Sequence, residues 1–285
     1  VGDCLPDHHT HKAASRSARD LEHLLAERAE AYRLGSAPIS ELSVLETWLE
    51  ERGLALASGQ SALPSAAEAI AGGPIAGSWW GHAEGPRIYR LLGELEAQSS
   101  GLIELSLVEG KRTLLSSRLT PLLEVVAADP GRRERVVAGL RPPARELLEH
   151  LDPRTALRSD DASFATWDNK SWRAARNALE AGLLARSSSI HTESGRHVSV
   201  LEAYPPPSSR RPRTARQTSS GLGELLAAAL DACIVARQSE VVRWLRFVEP
   251  DRGRRSAALD GIGARPLVVA GQLWLTRRDP PASSP

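Results

Sequence analysis

The sequence contains no methionine and only two cysteines, and aromatic side chains make up 4% of it. Cys4 stands in a polar tail and Cys233 inside an apolar helical pattern, so nothing implies a bridge and both are read as free thiols; a disulfide-stapled class is excluded. An excess of one charge is missing too. The 36 basic and 35 acidic residues leave a formal charge of +1, so attraction of the whole chain to a polyanion is weak, and any nucleic-acid binding must come from local clustering of Arg and Lys. No apolar stretch approaches the roughly 18 residues of a membrane span. The N-terminus, VGDCLPDHHTHKAASRSARD, has no apolar signal core. A cytoplasmic protein with no membrane partner is the expectation. The lack of Met at position 1 is what a GUG start written literally as Val1 leaves, and a fragment leaves the same trace. The motifs G-x-x-x-x-G-K-[ST], G-x-S-x-G and H-E-x-x-H are absent, which removes the usual support for NTPase, esterase and zincin chemistry. No cofactor is expected.

What is present is a repeated order of elements. Helical spacing runs over 13–34 and 38–52, then a short helix at 63–70, a Gly/Pro break and a helix at about 85–98. Two β-like runs follow, 102–108 and 111–117, turned at Glu109-Gly110. The order then recurs with a helix at 143–151, a helix at 169–181 stopped by Gly182, and strands at 183–191 and 196–204. The unit is a short helix, a turn, a second helix and a hairpin, which is the winged helix-turn-helix layout. The fold class is therefore mainly α with small β-hairpins, in tandem winged helix-turn-helix units. The expected division is an N-terminal tail and helix at 1–37, a first unit at 38–140, a second at 141–204, and a Pro/Ser/Arg linker at 205–219. Residues 220–285 then hold a long helix, about 220–247, and two short strands around Ala270-Gly271 that could be the remnant of a third unit.

Contact residues follow from helix periodicity. From Asp168 onward, Trp172, Ala175, Leu179 and Leu183 share one stripe while Lys170, Arg173 and Arg176 share another, which could track phosphates or be a plain solvated face. In the first copy Arg87 and Arg90 lie opposite the stripe of Ile88, Leu91, Leu92 and Leu95, with Glu94 beside them to cancel part of the attraction. The hairpin turn from His191 to His197 offers Arg196 and His197 as wing contacts, or is simply an exposed turn. Ser78-Trp79-Trp80-Gly81-His82 offers a stacking surface for an unpaired base, with His82 as polar neighbour; the competing reading has one indole filling the gap between the helices and the second capping the small core.

The weaker candidates are quickly weighed. Cys4, Asp7, His8, His9 and His11 are metal-competent residue types without a partner segment, so no metal site is assigned. Arg210, Arg211, Arg213 and Arg216 form a positive linker patch that could follow a phosphate backbone or only keep the linker solvated. Asp160 and Asp161 are general-base types that nothing places in a pocket.

GSWWGH before a helix, LVEGKRT, and HTESGRH before LEAY resemble the motifs of the AlkZ/YcaQ-type DNA glycosylases, bacterial proteins of tandem winged helices, from about Ile39 to Tyr204. The resemblance implies DNA binding and, for the true glycosylases, hydrolysis of the bond between a damaged base and its sugar. Those enzymes position water with a Gln-x-Gln motif. Here Gln60, Gln98, Gln217, Gln238 and Gln272 are never paired at that spacing, so no catalytic residue is assigned. Three functions remain: a DNA-binding protein associated with repair, a glycosylase acting on alkylated or crosslinked bases, and a non-catalytic protein-interaction scaffold.

Overall fold

The computed structural model describes residues 8–35, 37–98, 102–152, 154–161, 164, 166–191, 197–204 and 215–279. The described chain is mainly α-helical, with three small antiparallel sheets. Helix α1, His8–Ala31, comes first. The following segment holds α2 (Leu42–Arg52), β1 (Leu54–Leu56), α3 (Ala66–Ala71), a 3₁₀ turn at Trp79–Gly81, α4 (Gly85–Gln98), β2 (Ile103–Val108) and β3 (Lys111–Leu115). Two short helices, α5 (Thr120–Ala127) and α6 (Pro130–Ala138), lead to α7 (Pro142–His150), β4 (Leu157–Arg158), α8 (Asn169–Ala181), β5 (Ala185–His191) and β6 (His197–Ala203). The last segment holds α9 (Ala215–Cys233), β7 (Val235–Arg237), α10 (Gln238–Trp244), α11 (Arg252–Asp260), β8 (Arg265–Val269) and β9 (Gln272–Thr276).

The sheets repeat one topology. Their strand orders are β1-β3-β2, β4-β6-β5 and β7-β9-β8, so in each a short leading strand pairs with the second arm of a hairpin. The turns of the first and third hairpins are built alike, with Glu109 at φ 51° and Gly110 at 75°, and Ala270 at φ 50° and Gly271 at 74°. Two successive left-handed residues match the twist of the flanking strands, which is why such pairs close tight hairpins. The turn of the second hairpin, with Arg196, lies outside the described residues.

Local signals explain the helix ends. Asp129 accepts from the Gly131 and Arg132 amides, and Pro130 occupies the first turn of α6, a favourable start because those amides have no partner within the helix. Asp168 caps α8 and Asp251 caps α11 in the same way. Two expectations from periodicity fail. The single helix over 220–247 is broken: α9 starts earlier, at Ala215, within the stretch read as linker, and ends at Cys233, after which Ile234 turns left-handed at φ 65°. The apolar pattern continues because β7 is itself buried, pairing with β9. The pair α5 and α6 was missed, since each helix is only two turns or so and Asp129-Pro130 interrupts the period.

Packing ties distant parts together. One core joins Leu54, Leu56, Leu105 and Leu115 of the first sheet to Leu123 and Val126 of α5, to Leu225, Leu226 and Leu230 of α9, and to Trp244. Leu21 and Leu24 of α1 pack on Val235 and Leu267 of the third sheet, so the N-terminal helix docks on the C-terminal segment. Cys233 is a free, fully buried thiol within the shared core, and burial pushes its pKa up.

The junction is fixed by one buried cation. Arg132, 2% exposed, donates to the carbonyls of Gly182 at 2.6 Å, Val248 at 3.0 Å, Ala127 at 3.2 Å and Leu183 at 3.4 Å. Gly182 allows the approach: a Cβ there would lie 2.6 Å from Val136 Cγ1. Beside it Arg135 holds the buried Glu249 carboxylate with two bonds of 2.9 and 2.5 Å. Burial lowers the Arg132 pKa to about 10, so the cation persists at neutral pH. Arg132→Ala strands these carbonyls, each a loss of roughly 1 to 3 kcal/mol when left without a donor. We expect the variant to lose about 3 kcal/mol or more, read as a lowered urea midpoint; a midpoint equal to wild type would remove Arg132 from this role.

Candidate nucleic-acid interface

Helix α8 supplies an exposed basic face. Asp168 accepts from the amides of Lys170 and Ser171, both at 2.8 Å, and from the Ser171 hydroxyl at 2.7 Å, which fixes where the helix begins. Those bonds, that of the Ser171 amide foremost, hold the Asp168 carboxyl below its ordinary range. Trp172, Ala175 and Leu179 are buried, so Lys170, Arg173 and Ala174 are left facing outward. The acid of this helix, Glu180, is 5% exposed and turned inward, accepting from Ser106 Oγ at 2.6 Å and from Ser187 Oγ.

Along one flank of α8 opens a cavity of about 820 Å³. Asp168, Lys170, Ala174 and Asn177 form one wall; Val136, Arg141 and Ala144 stand in another; the hairpin turn Glu109-Gly110 and residues Arg246, Phe247 and Pro250 complete it. Four stretches of the chain thus meet at one depression, where ligand sites commonly form. Its geometry is fixed by the turn, because the Glu109 amide donates to Trp244 O at 3.1 Å while the Glu109 carboxylate pairs with Arg243 at 3.4 Å. The cations here are Lys170, Arg141 and Arg246, and among the described residues none has an ion-pair partner. Arg246 lies over the Phe247 ring at 4.8 Å.

The predicted contact residues are not brought to one place. Lys170 borders the large cavity, whereas Arg173 and Arg176 border a smaller one of about 230 Å³ with Phe164, Trp167 and Trp172. Arg176 is half-buried and engaged, donating to Ser199 Oγ at 3.0 Å and to Asn177 Oδ1. The single row expected on α8 therefore splits, because the side-chain environment differs on its two flanks. Arg87 donates to Ile70 O at 2.7 Å and pairs with Glu84 at 3.1 Å. Arg90 pairs with Glu94 at 3.1 Å and donates to Ser40 O at 3.3 Å. Both hold α4 in place, and the first segment offers its hairpin turn to the cavity instead of a matching basic helix. His197 pairs with His191 in the second hairpin, while its side chain and Arg196 lie outside the described residues. The same holds for Cys4, Asp7, Arg210, Arg211 and Arg213, and for the side chains of His8, His9, His11 and Arg216. Among the described residues no group of three or more His, Cys, Asp or Glu is placed to hold a metal, and no helix is long and apolar enough to cross a membrane.

The aromatic pentapeptide divides. Trp79 is half-buried against the core of α2, α3 and α4, whereas Trp80 is 67% exposed. His82 is a local cap, its Nδ1 accepting from the Glu84 amide at 3.2 Å. Sequence reasoning missed Arg141, Arg246 and Phe247. Arg141 did precede a visible Pro-Pro helix start, but Arg246 and Phe247 were hidden inside the helix predicted over 220–247.

A comparison with solved structures finds the Streptomyces sahachiroi DNA glycosylase AlkZ at a TM-score of 0.50 and 14% sequence identity, covering 90% of this chain and 70% of that chain. At that identity the likeness is one of fold. No family model matches the chain. No curated protein matches it.

The Asp168 cap has a pH signature. The folded carboxyl pKa is lower than the unfolded one, so its stabilisation is complete above the ordinary aspartate range and is lost as pH falls through the folded value. Asp168→Asn keeps an acceptor without a titration. Acid unfolding of wild type below about pH 4 should therefore be steeper than that of the variant, and superimposable acid transitions would contradict the assignment.

Proposed function

We propose that this protein binds DNA through a tandem winged-helix array of three units, each formed by a helix, a short strand, further helical turns and a hairpin. The observation that carries the reading is the outward face of α8, where Lys170 and Arg173 are exposed behind the Asp168 cap and Lys170 shares a cavity with Arg141 and Arg246. In winged helices this second helix commonly enters the major groove. Its base-facing residues would then follow from where Lys170 and Arg173 meet phosphates, since phosphate contacts set register. Arg196 and His197 belong to the same proposal as wing contacts, and Arg176 as a positioning group behind them. Arg87 and Arg90 contribute least, as Glu84 and Glu94 offset them. The likeness in fold to a DNA glycosylase supports this assignment over a protein-interaction scaffold, which would favour acids on the exposed helix face.

Four cations meeting phosphates give an expected log-log salt slope of about −3 to −4. Duplex affinity measured from 50 to 200 mM salt should show that slope, and Lys170→Ala or Arg246→Ala should reduce it by about 1 while weakening all sequences alike. A flat salt response, or no binding at low salt, counts decisively against the reading. Being exposed, the same substitutions should leave the urea midpoint within about 0.5 kcal/mol of wild type.

The second reading is glycosylase activity in DNA repair. The fold likeness favours it and the missing Gln-x-Gln pattern opposes it. Incubation with alkylated or crosslinked DNA should then yield a free base and an abasic site; undamaged recovery of the substrate after long exposure excludes it.

A further inference from the structure

The tryptophan pair carries more than the charge pattern explains. The 3₁₀ turn starts at Ser78, whose hydroxyl accepts from the Trp80 amide at 3.4 Å. It holds the two indoles in a stack, with centroids 4.2 Å apart and planes 20° from parallel. Trp80 then meets Tyr89 of α4 at 5.5 Å. Trp80 and Tyr89 are 67% and 59% exposed, so a row of three rings runs from the core outward to the solvent face of α4. An outer indole filling no gap in the core leaves a large π-face uncovered, which is the kind of surface that a planar ligand covers.

A cavity of about 220 Å³ opens against the same indoles, lined also by Ser58, Ser65, Glu68 and Ser78. Ser65 and Glu68 have the spacing of a capping box, and Ser65 accepts from the Glu68 amide at 3.4 Å. In that motif the glutamate reaches back to the cap amide. Here it turns away, and its Oε1 accepts from the Ile75 amide at 3.2 Å instead. The other carboxylate oxygen has no hydrogen-bond partner among the described residues, and Glu68 lines the cavity. Partial burial raises the carboxyl pKa, consistent with an acceptor partly withdrawn from water.

The occupant must offer a flat π-face and an N–H donor at its edge, within a volume too small for a drug-sized molecule. We propose that this cavity is a single-base subsite in which the exposed indole of Trp80, backed by Trp79 in the stack, stacks one unpaired DNA base while Glu68 accepts a hydrogen bond from its exocyclic amino group. The proposal rests on the DNA-binding reading. Adenine and cytosine present such an amino group, whereas thymine presents carbonyl oxygens in its place, which face a carboxylate unfavourably. A stacking wall by itself would not discriminate among bases. Glu68 is thus the specificity element and the indoles the affinity element.

Binding by fluorescence anisotropy tests this with a paired duplex and with the same duplex carrying one bulged adenine, cytosine or thymine. The wild-type protein should prefer the adenine and cytosine bulges over the paired duplex by about tenfold, and thymine by less. Trp80→Ala should remove the bulge preference and keep the affinity for paired duplex. Glu68→Gln retains an acceptor for the Ile75 amide and gains a donor, so it should raise thymine to the level of the other bulges. Unchanged circular dichroism establishes that both variants fold. Equal wild-type affinity for paired and bulged DNA overturns the subsite and leaves the DNA-binding reading standing. Absence of binding to every duplex overturns both. Concentration-dependent self-association of the free protein that Trp80→Ala abolishes would assign the aromatic row to a second copy of the chain and overturn the subsite.

Discussion

A buried guanidinium surrounded by carbonyl oxygens is the constraint on which the rest of the arrangement depends. Arg132 reaches Ala127 before α6, Gly182 and Leu183 after α8, and Val248 after α10, so one side chain addresses three separate parts of the chain. Among the described residues it makes no direct ion pair, and its desolvation is offset by carbonyl dipoles and by the nearby carboxylates of Asp129 and Glu249. Such an arrangement contributes little net stability compared with a well-packed apolar substitute, but it is intolerant of any other relative placement, since misplaced carbonyls would leave a bare charge. Glu249 adds a second constraint of the same kind through Arg135 and Arg254. The junction thereby specifies how the three sheet-bearing segments meet.

That specification creates the cavity beside α8. Neither α8 nor the turn at Glu109-Gly110 is a site by itself. Each becomes one wall when Arg132 seats Gly182 and when the Glu109 amide finds the Trp244 carbonyl. The near-neutral total charge then acquires meaning. Many carboxylates are paired off in the interior and along α4, and the cations Lys170, Arg141 and Arg246 gather where the segments converge, beside Asp168 and Glu109. A local imbalance of this kind can bind a polyanion without making the whole surface adhesive.

Much of the local structure was legible in the sequence, and the reasons are specific. Asp168 opens α8 with a cap whose chemistry is local, whereas Gly182 at its end is also required by the close approach of Val136. Glu109-Gly110 and Ala270-Gly271 mark hairpins through left-handed turns that few residue pairs tolerate. The break after Cys233 was illegible because β7 is as buried as the helix before it, so apolar periodicity carries no boundary there. The site was harder to read than the fold. Whether an arginine is available depends on neighbours far along the chain: Arg87 and Arg141 look alike in sequence, yet Ile70 and Glu84 engage the first while the second faces the cavity.

The capping box at Ser65 and Glu68 illustrates the same limit from the opposite side. The motif correctly marks the start of α3, yet the carboxylate that should close the box accepts from the Ile75 amide, and Glu68 lines a space shared with two indoles. A residue whose local rule is half obeyed has been drawn away by something else, and such departures concentrate where structure serves a ligand. Phosphate-facing cations cannot distinguish one base from another. A carboxylate beside a stacking wall can, so in the proposed subsite selectivity would rest on Glu68 and not on the cations at the junction or on the indoles.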